Sequence, residues 1–282
     1  MKKRTVKDFT AMYAEEEQEK LALIRGGVSA SRSCLDKYWT ASVDALALAG
    51  PASGEIVSGE CCLNWPLTDK EQKDSAYHER FAEGVIYRVK VRPLKRTSDG
   101  SKPWYYVTDV TEQGVSCPEL EAVWADYIKP VIIEDEVLGT LTLDKELGMF
   151  NGRCLWLGKE IAVSLLDVNE NNKGSWTRAR NAAKKLFAEQ EKWDSQLREF
   201  AAGELTALAN EWLADDEEAG RDPEKEPITR EEFAGRLAFS ELSVYPGGRF
   251  TAWYDDGGMF WGHVVTVDGS LKKGPRQADI EG

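Results

Sequence analysis

The hydrophobic pattern changes period near residue 168, and this change narrows the folds open to the chain. Before it, short runs alternate apolar and polar residues: Gly84–Leu94 reads GVIYRVKVRPL and Glu136–Leu143 reads EVLGTLTL. Period two buries one face of a strand and wets the other. After it, Trp176, Ala179, Ala183 and Phe187 share one helical face, as do Trp193, Leu197, Phe200, Ala201, Leu208 and Trp212. Strand patterns return beyond Pro227. Blocks of strands and blocks of helices predict an α+β protein with antiparallel sheets packed against helices.

A chain of 282 residues is long for one domain. Ser116-Cys117-Pro118-Glu119 reads as a capping box, and the helix it starts closes at Lys129-Pro130. The reading is therefore two domains. Residues 1–130 form an accessory α+β domain with a small antiparallel sheet. Residues 131–282 form a C-terminal α+β domain with helices 176–212 packed on an antiparallel sheet. Charge divides at the same place. Residues 1–130 hold 18 basic and 20 acidic residues, whereas 131–282 hold 18 and 29. Segment 189–232 alone holds 15 acids against 5 bases. Such a surface repels phosphates and attracts a basic partner.

Local signals predict the elements. Thr5 as a cap with Phe9, Met12, Tyr13, Leu21 and Ile24 predicts a helix stopped at Gly26-Gly27, and Leu35–Ala49 a second. Glu55–Leu63 and Trp104–Val110 read as strands, and Thr68–Glu71 as a capping box. Asn151-Gly152 reads as a tight turn, Asp215–Pro227 as a loop, and Thr229–Glu232 as the cap of a short helix. The end reads as a three-strand meander over 239–245, 249–255 and 259–268. Its last strand, with two largely apolar faces, is expected to be central and covered on both sides.

Several chemistries lack their residues. No run of about 18 apolar residues exists, and the basic start is not followed by an apolar stretch, so the expectation is a cytoplasmic protein with no membrane span. Five cysteines without CxxC spacing predict neither a disulfide framework nor a zinc site, and Cys61-Cys62 read as two reduced strand thiols. Asp167–Lys173 places oxygen ligands like a calcium loop, but Arg178 stands where the bidentate acid belongs. No metal and no cofactor is expected. Glycine spacing fits no nucleotide loop. The strand with Arg88, Lys90, Arg92, Lys95 and Arg96 lies beside Tyr87, Trp104, Tyr105 and Tyr106. That pairing can serve single-stranded nucleic acid, but the near-neutral charge of this half argues for an ordinary sheet edge, and a nucleic-acid partner is not expected.

The candidate site residues cluster near the C-terminus. His78 and His263 are the two histidines, and His78 reads as surface. His263 with Asp255 and Asp256 could supply a base and carboxylates. Trp261, Glu211 and Trp212 are candidates to line a ligand pocket. Asp215, Asp216, Glu217 and Glu218 are candidates for partner binding. Turn chemistry explains Asp255-Asp256-Gly257-Gly258 without function, and the preferred reading of His263 is a packed, hydrogen-bonded core residue.

The order Trp193, Asn210-Glu211-Trp212, Ile228-Thr229, Glu232-Phe233, Tyr254-Asp255-Asp256-Gly257 and Phe260-Trp261-Gly262-His263 resembles a family of bacterial domains of unknown function that end in this FWGH strand. The likeness covers residues 135–282 and implies a bacterial or phage α+β domain, with no activity to carry over. Two functions are open. One is a non-enzymatic binding or regulatory protein, immunity-like in its use of an acidic helical surface against a basic partner. The other is a small-molecule-binding or hydrolytic domain with a pocket near His263 and Asp255.

Overall fold

In the computed structural model of the chain, residues 3–96, 101–168, 172–215 and 227–282 are described. They fall into two compact units, Met1–Lys129 and Pro130–Gly282.

The first unit is built on long, non-local strand pairing. Its elements are α1 (Val6–Thr10), β1 (Gln18–Ile24), β2 (Ser29–Ser31), β3 (Trp39–Ala49), β4 (Ile56–Ser58), β5 (Cys61–Leu67), α2 (Asp69–Asp74), β6 (Ile86–Pro93), β7 (Trp104–Gln113) and α3 (Pro118–Tyr127). Five strands close into a barrel in the order β1-β6-β7-β5-β3, with β3 returning to β1. The β5–β7 contact is parallel and the others antiparallel. Counted in chain order this ring runs 1-4-5-3-2, the connectivity of the five-stranded Greek-key OB barrel. Ala41, Val43, Leu63, Trp65, Tyr87, Val89 and Val107 fill its interior. Outside, α3 packs Leu120 against Leu21, Leu23 and Ile86.

Both helices expected before residue 50 are corrected here. Only Val6–Thr10 is helical, and 18–24 and 39–49 are strands. Thr40, Ser42 and Asp44 alternate with buried Ala41, Val43 and Ala45, so the segment has period two. Its alanines favour a helix locally, but pairing with β1 and β5 on either side prevails.

The second unit holds β8 (Ile132–Asp135), β9 (Gly139–Asp144), β10 (Met149–Trp156), β11 (Lys159–Leu165), α4 (Lys173–Ala188), α5 (Gln190–Asp215), α6 (Arg230–Arg236), β12 (Ala238–Val244), β13 (Arg249–Asp255), β14 (Val264–Ser270) and β15 (Gly274–Glu281). Its eight strands form one sheet in reverse chain order, β15 to β8. The β11–β12 pair is parallel, so this sheet, like the first, is mixed rather than purely antiparallel. Parallel neighbours need a long crossover, and α4 to α6 provide it. Phe150, Val163, Leu165, Leu242, Phe250 and Val267 share one core with Ala183, Leu197, Ala201 and Phe233 of the helices.

Three further expectations are corrected. Asn151 and Gly152 lie inside β10. The turn is at Leu157-Gly158, where φ is +49° and +80° as a two-residue hairpin turn requires. Gly152 is needed because a Cβ there would sit 2.5 Å from the Thr140 carbonyl oxygen. The terminal meander has four strands rather than three. Its third begins at Val264 and not at Met259.

Candidate functional site

Several of the residues singled out from the sequence lie where β13 passes to β14. Asp256 directly follows β13 and is 5% exposed. Its Oδ1 accepts from the Gly258 amide at 2.9 Å, and its Oδ2 accepts from the amides of Phe260 and, at 3.4 Å, Gly262. One carboxylate thus holds the whole turn through three backbone amides. Among the described residues no group of three acids, cysteines or histidines could hold a metal.

Phe260 is fully buried, 5.6 Å from the Trp212 ring and 6.2 Å from Phe233. It anchors the turn from below. Trp261 then has nowhere to go but outward. It is 58% exposed, with φ at +57°, a backbone region that bulky residues rarely occupy. The strand expected over Phe260–Val267 is central, between β13 and β15, but it begins at Val264, and Phe260–His263 form a turn outside it. Trp261 leans on Trp212 at 4.8 Å between ring centroids, and Trp212 meets the His263 ring at 5.4 Å. Three of the candidates therefore form one aromatic group at the C-terminal end of α5.

The others are placed differently. His263 is half-buried, its Nδ1 close to the backbone at Gly282, and it makes no hydrogen bond to Asp255 or Asp256 among the described residues. Asp255 is exposed and pairs across the sheet with Val264. Glu211 is exposed on α5 beside Trp212. Asp215 is the last residue of α5 and not part of a loop. Asp216, Glu217 and Glu218 lie outside the described residues, as does most of the Asp215–Pro227 segment.

Two residues missed as a pair explain the Asn-Glu-Trp segment. Asn210 donates to the Ile228 carbonyl at 3.1 Å and accepts from the Ile228 amide at 2.8 Å. It thereby fixes the point where the chain rejoins the fold, while Trp212 two residues on supports the Phe260 turn. Residues 135–280, just over half of the chain, match the family described as an uncharacterized protein conserved in bacteria, DUF2262. The chain belongs to this family. The DUF2262 region contains the Asn210 clamp, the Asp256 turn and the aromatic group. Residues 5–127 match a separate domain of unknown function, DUF7021, so the part left unplaced from sequence is also a family domain. No curated protein matches the chain.

Two residues of the basic strand of the DUF7021 region, Arg88 and Lys90, meet acids. Arg88 pairs with Glu112 at 2.9 Å and Glu19 at 3.1 Å, and Lys90 approaches Glu17 at 3.9 Å. Lys95 donates to the Ala11 carbonyl. The outer surface of β5 is covered too, since Tyr13 donates to Asn64 at 2.8 Å within a cluster of Phe9, Tyr13, Tyr38 and Tyr106.

Proposed function

We propose that the DUF2262 unit is a protein-binding module whose contact platform is Trp261 with Trp212 and His263, and that its partner is basic. The observation that supports this is the exposed Trp261, held at φ +57° on a turn clamped by Asp256. A strained, outward tryptophan on a rigid base is costly for folding and useful for binding. Aromatic side chains are the residues that most often dominate an interface. The open indole face accepts a lysine or arginine of a partner. Exposed Glu211, Asp255, Glu231 and Glu232 belong to the same acidic half of the chain and add long-range attraction.

The test is affinity purification from the source bacterium with the parent and with Trp261→Ala, at low and at high salt. The expected result is a basic protein retained by the parent at low salt and lost both in the variant and at high salt. Equal retention by parent and variant would sink the proposal.

A further inference from the structure

The barrel of the first unit carries a cavity of about 570 Å³ that none of the features above uses. Its origin is a fork between two strands. β5 and β7 pair in parallel from Cys62–Trp104 to Asn64–Tyr106 and then separate. Beyond that point Trp65, Pro66 and Leu67 pair only with β3, and Val107 pairs only with β6. Each strand leaves one edge without a ladder partner, and the cavity lies between those edges, closed by α2 and the 3₁₀ turn Ala76–Arg80.

Arg80 is the chemical feature of this cavity. It is half-buried, and its guanidinium lies 4.6 Å over the Trp65 ring and 5.9 Å from Phe81. Stacking satisfies the face of a guanidinium but leaves its in-plane N–H donors free. Among the described residues its contacts are these two rings, and its nitrogens are not among the buried polar atoms left without a partner. Burial lowers its pKa below the ordinary guanidinium value, and the attraction of Asp109, Tyr106 and Glu71 only partly offsets this. Glu71 is itself engaged in the cap of α2, where it accepts from Thr68. A half-buried cation without a close protein partner is left to water, and an anion entering the cavity would replace that water with a charge-assisted contact.

We propose that this cavity is a binding site for a small ligand bearing one carboxylate or phosphate group on a flat body, the anionic group meeting the edge of Arg80. The Tyr77 and Tyr106 side chains line the space for the flat body. Glu71, Asp74 and Glu79 also line the space and are exposed, so the site has room for a single anionic group held at Arg80, and a nucleic-acid strand does not fit. The site is independent of the Trp261 platform, and either reading can fail without the other.

The experiment uses the full chain and benzoate as the probe, with benzyl alcohol as its neutral counterpart and inorganic phosphate as the anion without a flat body. Binding is read by calorimetry and by protection of Arg80 from phenylglyoxal, mapped by mass spectrometry. Benzoate is expected to bind and to protect Arg80, phosphate to bind more weakly, and benzyl alcohol not to protect. Arg80→Gln is expected to weaken benzoate by about ten- to hundredfold, and Arg80→Lys by less. Equal affinity for benzoate and benzyl alcohol, or no protection of Arg80 in the parent at millimolar benzoate, overturns the proposal. The protection assay needs no variant, so a variant that fails to fold leaves the test intact.

Discussion

Asp256 accepts from three amides of one turn, and Asp256→Ala is expected to destabilise the DUF2262 unit by about 2–4 kcal/mol in chemical denaturation. Trp261→Ala, at an exposed position, is expected to change stability by no more than about 0.5 kcal/mol. Trp261→Gly should be at least as stable as Trp261→Ala, because glycine tolerates φ +57° and alanine does not. A stability loss of several kcal/mol in Trp261→Ala would contradict the exposed placement. The thiols give a second residue-scale test. Burial pushes Cys61, Cys62 and Cys154 up to about 12, Cys117 is buried, and Cys34 alone is exposed. A thiol reagent should therefore label one cysteine in the native protein and five after denaturation. The placement of Cys61-Cys62 on a strand was legible in the sequence. The outward turn of Trp261 was not, because Phe-Trp-Gly-His-Val-Val mimics a strand and nothing local shows a carboxylate reaching six residues ahead.

At the scale of elements, the Asn210 side chain joins α5 to the segment that opens α6. Asn210→Ala removes both of its hydrogen bonds with Ile228 and should cost about 1–3 kcal/mol, with Thr229→Ala, which removes a helix cap, costing about 1 kcal/mol. Asp135 does similar work between β8 and α4. Burial by itself would raise its pKa, but the amides of Val137 and Leu138 and the Lys184 ammonium at 3.3 Å outweigh burial and hold it below the ordinary 3.8. A depressed carboxylate contributes stability that is present above pH 3.8 and is lost as the pH falls further. Asp135→Asn should therefore be less stable than the parent near neutral pH, with the difference shrinking in acid. If the two denaturation curves stay parallel through the acid range, the linkage is absent. The capping boxes at Thr68 and Thr229 were legible because a cap is settled within four residues. The third box was misread by two residues, since the Ser116 hydroxyl and the Cys117 amide donate to Glu121, while Glu119 accepts from the Cys117 thiol at 3.5 Å. Strands β1 and β3 were illegible as strands because their partners lie far away in sequence, while the helices α4 and α5 carry their own periodic stripe.

On the scale of the whole chain, two cores of unlike construction share one polypeptide. The first is a barrel closed on itself, and the second is an open mixed sheet with its crossover helices on one face. A fragment of residues 130–282 is expected to unfold cooperatively on its own, because its core draws only on its own residues. An unfolded fragment beside a stable full chain would show that the second core needs the first. The break near residue 130 was visible in the capped helix, Lys129-Pro130 and the shift in charge. The barrel was not, since closure is a property of registers between strands and leaves no local mark.

The Asp256 turn also has a kinetic consequence. The amides of Gly258, Phe260 and Gly262 sit in a segment outside the named helices and strands, where exchange with solvent is ordinarily fast. Each points at one buried carboxylate, so none can exchange until the turn lifts off Phe260 and Trp212 as a unit. In deuterated water these amides should persist together and vanish together, an island of slow exchange beneath the most exposed tryptophan of the unit.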